Sequence, residues 1–480
     1  MKADLALTTA TEAGLPEGWC LALDSSSRRL DQGRALIGGA PMRVLRMSPA
    51  GARWLDRMVD GGPLAASLAE RQLALRLTDA GLAHPRPSAG AGPRLDDVAV
   101  VIPVRDMAAG LARTLDSLRA VDTAGAVGEV LVVDDGSRDP DALRAAAGDA
   151  RVLRNERSLG PAAARERGWR ATSRPIVAFV DAEVEATDTA DWLTSLLAHL
   201  GDDTVGAVAP RVRAARGDAP DLLARYERAS SSLDRGPRAG AVRPGGAVPY
   251  VPTTALVVRR DALESIGGFD PGLHVGEDVD LVWRLHEHGW RVRYDPTVEV
   301  THPSRSTWGG WLRQRVAYGT SAAPLARRHG RAAAPLAVSR RTASTLAAVL
   351  LGQPLVGAAM AGARTARLAH DLQSLDHALR ESARIAAREL LGVTRWTATA
   401  VRGPWWPLAV GLAVCSRRSR PTLLAAVVVP PLLDALEQRP HMDPVRFGVL
   451  RLADDVAYGV GVWIGCGRER SMRALLPVFS

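Results

Sequence analysis

Cysteine is scarce in this chain: Cys20, Cys415 and Cys466 are the only three in 480 residues. No two have metal-ligand spacing and the count is odd, so neither a zinc site nor a disulfide framework is expected, and a reducing compartment fits. Lysine is scarcer still. Lys2 is the single one, and the net charge of +9 rests on arginine. The twelve tryptophans are scattered rather than interleaved with basic residues, which argues against a base-stacking nucleic-acid partner. Met1 to Gly18 holds acids, Pro and Gly with no apolar run, so no secretory signal is read and the catalytic domain is expected in the cytosol. What is abundant is apolar: 47% of residues are hydrophobic, enough for large cores in a chain too long for one ordinary domain. The arginine excess suits phosphate-bearing ligands or an anionic membrane face, and is also a compositional bias.

Composition divides the chain into three blocks, with domains expected at 1–92, 97–330 and 331–480. In the first, Arg43 to Met47 reads as a strand. Ser48-Pro49 then reads as a helix cap, with Trp54, Leu55 and Met58 at helical spacing and Gly61-Gly62 as the stop. A second helix is predicted from Pro63 to Asp79, and His84 to Arg94 (HPRPSAGAGPR) reads as a linker. The second block opens with VAVVIPV, Val98 to Val104, a run without alternation that suits a strand buried on both faces. Further strands are read at Glu129 to Ser137 and Pro175 to Glu183, with helices at Leu111 to Leu118 and Pro161 to Ala171. Strands separated by helices predict an α/β domain with a parallel sheet.

The third block is helical and partly apolar. Thr342 to Ala363 carries no charge and has the length of a bilayer span, although GQP interrupts it. A leucine stripe from Leu368 to Leu390 suits either a membrane interface or an ordinary packed helix. Two shorter apolar runs, Gly403 to Cys415 and Pro421 to Leu433, flank SRRSR. Membrane association is expected, with the number of spans left open.

Ligands of open parallel sheets bind at the carboxyl ends of the strands. Acids gather at two such ends and at one helix start. Asp134-Asp135-Gly136-Ser137 can accept hydrogen bonds from a nucleotide, or can simply cap a helix. Asp181 and Glu183, two positions apart, can share Mg²⁺ or Mn²⁺, which prefer oxygen ligands. Glu277 and Asp278 open a helix, either as dipole partners or with one as a general base.

In this order the motifs resemble a family 2 glycosyltransferase with the GT-A fold, a Rossmann-like nucleotide-diphospho-sugar transferase fold, from Val98 to Gly330. The resemblance implies a UDP-sugar donor and inverting chemistry. VVIPVRD, with Pro103, matches the family's opening strand, and DDGS its uridine-contacting motif, with Asp135 the contact. NERSLGPAAARERG, Asn155 to Gly168, puts Arg165 near the diphosphate. Asp181-Ala182-Glu183 stands where the family has Asp-x-Asp, with Glu183 a departure. GEDVDLVWRL supplies Glu277 and makes Asp278 the base. His302 stands where some members place a further metal or diphosphate contact. In the family's Gln-x-x-Arg-Trp motif, Gln314 is present but Ala317 and Tyr318 replace Arg and Trp. Arg315 is the substitute on the acceptor side, and long processive synthesis is not expected.

The segment RVLRMSPAGARWLDRMVDGG resembles the PqqD-type fold, a winged-helix-like module that binds precursor peptides, often by strand addition. Such a module fused to a family 2 transferase resembles enzymes that build a short β-linked glucan from UDP-glucose on a peptide-derived redox cofactor. The alternatives are a cell-envelope transferase acting on a lipid or polysaccharide, and a membrane scaffold with an inactive transferase domain.

Overall fold

The computed structural model describes residues 14–40, 42–120, 127–186, 191–215, 221–303, 307–350, 353–438 and 440–479. Residues 1–13, most of the segment read for a signal, lie outside them. The chain forms two compact units. One comprises Met1–Gly217 and Ser231–Ser304, the other Asp218–Ser230 and Arg305–Ser480.

The first unit begins with a small module. Strand β1 (Cys20–Leu23) is followed by an antiparallel meander of β2 (Arg28–Leu30), β3 (Ala35–Gly38) and β4 (Arg43–Arg46). Helix α1 (Pro49–Val59) starts where expected, with Ser48 Oγ accepting from Gly51 N at 3.1 Å. Helix α2 (Leu68–Asp79) begins later than the sequence predicts, and β5 (Ala83–Arg86) returns to pair with β1. The supposed linker is thus partly a strand. Pro85 is tolerated because β5 pairs on one edge only, where a missing N–H costs no ladder bond. Trp19, Leu36, Trp54, Leu55, Met58, Leu75 and Leu82 make the module's own core.

The module is fastened to the domain that follows. Arg291 grips the Asp79 carboxylate with Nε and Nη2 at 2.9 and 2.8 Å, and Arg243 donates to the carbonyls of Ala40 and Asp79 at 2.6 and 3.2 Å.

That domain is built on a nine-stranded sheet. Strands β6 (Val98–Val104), β7 (Glu129–Asp134), β8 (Arg151–Arg154) and β9 (Ile176–Val180) are parallel in the order β9-β6-β7-β8. Their crossovers are α3 (Ala108–Ala120), α4 (Pro140–Ala147) and α5 (Pro161–Arg170). The other half is mixed rather than parallel. Beyond β9 the sheet continues through β13 (Ala255–Arg259) to β11 (Val205–Ala214) and β14 (Arg291–His302). Strand β13 runs antiparallel to both β9 and β11, while β11 and β14 are parallel. The short β10 (Glu185–Ala186) and β12 (Gly240–Ala241) pair with β14. Helix α6 (Trp192–His199) precedes β11, α7 (Leu222–Ser230) belongs to the second unit, and α8 (Arg260–Ile266) and α9 (Glu277–Glu287) lead into β14. Val98, Val100, Ile102, Val132, Ile176 and Ala178 lie in one buried cluster on one face, and Val101, Leu131, Val133, Val177 and Phe179 are buried on the other, which is why the strands read as unbroken apolar runs.

The second unit is helical: α7, α10 (Trp308–Thr320), α11 (Ala322–His329), α12 (Arg340–Leu350), α13 (Pro354–Asp371), α14 (Ala378–Arg402), α15 (Trp406–Cys415), α16 (Arg420–Gln438) and α17 (Pro444–Glu469), with a small parallel pair β15 (Ala337–Val338) and β16 (Val478–Phe479). Its larger segment runs from Arg305, so α10 and α11 pack with the C-terminal helices. The apolar stretch from Thr342 to Ala363 is two helices, because Pro354 starts a new one and cannot continue the old. The leucine stripe is divided likewise between α13 and α14, with Leu372 and Leu375 buried between them. Among the described residues, no helix is long and apolar enough to cross a membrane.

Candidate active site

The carboxyl end of β9 and the start of α9 converge on Arg165. This side chain is 4% exposed. Its Nη2 donates to Asp181 Oδ1 at 2.6 Å and its Nη1 to Glu277 Oε1 at 2.9 Å. Burial pulls its proton affinity down, but Asp181 and Glu277 outweigh that and hold it above the usual guanidinium range. Helix α5 aims Arg165 inward because Gly168, one turn on, lies against the sheet: a Cβ there would meet Val101 Cγ1 at 2.3 Å.

Asp278 follows Glu277 in the first turn of α9. Its Oδ1 accepts from its neighbour Val279 N at 2.7 Å. Burial first, and then the adjacent Glu277 charge, push its carboxyl up to about 7, with Arg165 and Arg235 opposing. A carboxyl titrating there is poised to take a proton near neutral pH.

Asp135 is buried, and both oxygens are engaged. Oδ1 accepts from Asn155 Nδ2 at 2.8 Å and Leu159 N at 2.9 Å, and Oδ2 from Ser158 Oγ at 2.7 Å and Gly160 N at 2.9 Å. Burial raises its pKa, but these four donors more than compensate and hold it low. As folded, Asp135 shapes the 155–160 loop. A nucleotide contact by its carboxylate would share oxygens already in use. Asp134 is fixed from the other side, by Ser137 N at 2.8 Å and by the Arg154 guanidinium. Gly136 follows the two and turns the chain at φ +74°, and a Cβ there would meet Ser158 N at 2.7 Å.

Pro103 lies at the carboxyl end of β6, opposite Val133 of β7. Asp181 and Glu183 follow β9, and their oxygens suit a hard divalent cation. His302 does not join them as a preassembled centre: among the described residues no three His, Cys, Asp or Glu side chains converge on one point. Its Nδ1 donates to the carbonyl of Pro303 at 2.9 Å, at the end of β14. Gln314 and Arg315 belong to the other compact unit. There Gln314 Nε2 donates to Tyr318 Oη at 2.8 Å, and Arg315 is buried between Glu227 at 2.5 Å and Asp454 at 2.8 Å. The guanidinium expected to face an acceptor is thus held by two acids.

Two residues were missed in the sequence. Arg235, stacked on Tyr250 at 4.5 Å, adds positive potential at Asp278 from a segment without any motif. Glu166 anchors the turn at Gly267 to Phe269, accepting from Trp169 Nε1 at 2.6 Å and Phe269 N at 2.8 Å. Its position next to Arg165 on α5 was the available signal.

Paired acids around a buried arginine, at the strand ends of a GT-A-like α/β sheet, define a glycosyltransferase, and residues 93–319 match the model of the glycosyltransferase like family 2. Over 484 aligned residues the chain is 41% identical to the pre-mycofactocin glycosyltransferase of Mycobacterium tuberculosis, covering 97% of this chain and 99% of the relative. The chain therefore belongs to the family of the pre-mycofactocin glycosyltransferases. A more distant relative is the human polypeptide N-acetylgalactosaminyltransferase 9, 29% identical over 203 residues, 37% of this chain and 33% of that one. Among solved structures, a mannosyltransferase from Pyrobaculum calidifontis in complex with GDP-Man and Mn²⁺ overlaps 64% of this chain and 89% of its own, at 20% identity and a TM-score of 0.37.

Proposed function

We propose that the chain transfers glucose from UDP-glucose to pre-mycofactocin, a peptide-derived redox cofactor, by inverting single displacement, and repeats the step to build a short β-linked glucan. The 41% identity along nearly the whole chain supports the acceptor. The raised proton affinity of Asp278 beside the Arg165 ion pairs carries the mechanism.

In this reading Asp278 takes the proton of the attacking hydroxyl, and Glu277 keeps its affinity for that proton high. Arg165 lends positive charge to the departing diphosphate by shifting part of its hydrogen bonding away from Asp181. Pro103 and the loop held by Asp135 form the nucleotide side. Asp181 and Glu183 are the oxygen ligands for Mg²⁺ or Mn²⁺, which when bound supplies Lewis-acid neutralisation of the diphosphate. His302 is a further diphosphate contact. Gln314 is the acceptor-side candidate, while Arg315 is committed to Glu227 and Asp454.

The N-terminal module acts as a PqqD-like reader of the peptide-derived acceptor or its precursor peptide. The second unit associates with the cytoplasmic face of the membrane. Leu408, Leu412 and Val414 on α15 and Leu424 and Val428 on α16 are exposed, and the exposed Arg417, Arg418 and Arg420 lie at the turn. These apolar side chains also favour a second reading, transfer to a lipid or polysaccharide of the cell envelope.

Mass spectrometry of products formed from several nucleotide sugars in cell extract separates the two. A hexose ladder on a small redox-active compound, lost on deletion of residues 1–90, supports the first reading. A lipid-soluble product that survives the deletion supports the second. Absence of transfer from any nucleotide sugar would sink both.

A further inference from the structure

Two segments without a family motif border the proposed base. Residues 249–254 (PYVPTT) run between α9 and the end of β9. On one side Trp283 Nε1 of α9 donates to the carbonyl of Pro249 at 2.8 Å. On the other, Asp181 N donates to the carbonyl of Thr254 at 2.9 Å. Tyr250 therefore stands beside the helix whose first turn carries Asp278. Residues 234–236 are fixed as firmly. Arg211 grips the Asp234 carboxylate with Nε and Nη2, both at 2.8 Å, and Gly236 N donates to the same carboxylate at 2.7 Å. Tyr294 Oη donates to the carbonyl of Gly236 at 2.7 Å.

Arg235 sits between these anchors, with its guanidinium 4.5 Å from the centroid of the Tyr250 ring. The adjacent acid, Asp234, is taken by Arg211, and among the described residues no carboxylate pairs with Arg235. Its Nη2 donates to the carbonyl of Ser232, and its Nε is enclosed without a partner. Nη1 differs: it has no partner among the described residues and is not enclosed, and the same holds for the Tyr250 hydroxyl. The charge of Arg235 reaches Asp278, although the two form no ion pair. The base is thus bordered by an open guanidinium N–H and an open phenol on fixed backbone. These groups offer donors and an acceptor to hydroxyl oxygens, the chemistry of a sugar rather than of a hydrocarbon. A further anion would stand against Glu277 and Asp278, so a neutral polyol fits better than an acid.

We propose that Arg235 and Tyr250 are acceptor-binding residues, which hold a hydroxyl of a neutral sugar unit, the end of the growing glucan, toward Asp278. This rests on the transfer reading above and names the acceptor class of that site in the later rounds of transfer, when a sugar rather than the redox cofactor supplies the attacking hydroxyl.

Titration of the full chain with cellobiose in the presence of excess UDP, followed by saturation-transfer NMR, tests this. The wild type should bind cellobiose saturably. Arg235→Gln should weaken that binding by about tenfold or more. Arg235→Lys, which keeps the charge and loses the fork, and Tyr250→Phe, which keeps the ring under the guanidinium and removes only the hydroxyl, should each weaken it by about threefold or more. UDP affinity should stay within about twofold of the wild type in all three, a split that a merely structural role does not produce. Should Arg235→Gln misfold, the other two variants decide. No saturable cellobiose binding to the wild type, binding indifferent to the Arg235 or the Tyr250 substitutions, or UDP affinity falling in step with cellobiose affinity would overturn the proposal. Transfer is read separately, by mass spectrometry of cellobiose incubated with UDP-glucose. The expected cellobiose binding without any trisaccharide keeps the acceptor site and removes the glucosyl-donor reading instead.

Discussion

Arg165 and Glu277 are 112 residues apart in the chain, and their side chains meet at 2.9 Å. The contact ties the first turn of α9 to α5, and through Asp181 to the end of β9. One buried cation thereby sets the positions of the proposed base and of the acids on the diphosphate side.

Replacing Arg165 should accordingly damage both stability and turnover. Arg165→Met leaves Asp181 and Glu277 without their shared cation, and breaking a buried pair costs about 3–5 kcal/mol. Arg165→Lys should recover part of the stability but little transfer, since one ammonium cannot reach two carboxylates in the geometry of a planar fork. Denaturant unfolding and a transfer assay on both variants measure this. Full activity in the Lys variant would show that charge alone suffices.

Asp278→Asn should keep nucleotide binding and lower transfer by about 10²–10⁴-fold, the usual contribution of a general base. In the wild type the rate should climb as the carboxyl ionises through about pH 7 and then level off, and this limb should vanish in Asn. Stability has the opposite sign. A carboxyl with raised folded-state pKa favours the fold at low pH, and that contribution is lost between its ordinary value of 3.8 and about 7. The thermal midpoint of Asp278→Asn relative to wild type should therefore rise over this window. A flat difference would remove the claim of a raised pKa.

Gly136→Ala should destabilise the chain by about 1–3 kcal/mol, the range for residues forced into sparsely populated backbone conformations. The added Cβ also meets the backbone of Ser158, so UDP affinity should fall along with stability. Titration calorimetry with UDP checks the second effect. Unchanged affinity would separate the 155–160 loop from the nucleotide.

Asp79→Ala removes the carboxylate that Arg291 grips. The pair is partly exposed, so the loss of global stability should be small, about 1 kcal/mol or less. Proteolysis within residues 87–94 should nevertheless quicken, because the module loses a fastening. Identical digestion rates would place the fastening elsewhere.

Replacing Arg417, Arg418 and Arg420 by Glu should reduce co-sedimentation with vesicles containing anionic lipid, and raised salt should do the same to the wild type. If the wild type fails to sediment with such vesicles at low salt, the membrane reading loses its support.

Much of the sheet was legible in the sequence. Strands such as Val98–Val104 are buried on both faces, so their apolar runs are unbroken, and Gly136 marks a turn that demands positive φ. The antiparallel β13 was not legible, since a buried strand carries the same residues whichever way it runs. Strand β5 was hidden because Pro85 looks like a breaker until its single paired edge is known. The apolar stretch at Thr342–Ala363 misled by composition, and Pro354 was the signal that it divides.

The sequence by itself determined the order of the acidic motifs and the presence of an N-terminal block with its own helices, because these rest on local residue types and spacing, and its resemblance to family 2 supplied the transferase class. Only the tertiary structure decided that Arg165 joins Asp181 to Glu277, that Asp135 is committed to its loop, that Arg315 is buried between acids and that Arg235 stacks on Tyr250. Each of these depends on side chains that meet only after folding. Burial then changes both their proton affinity and the cost of leaving them unpaired, and no one-dimensional spacing records either quantity.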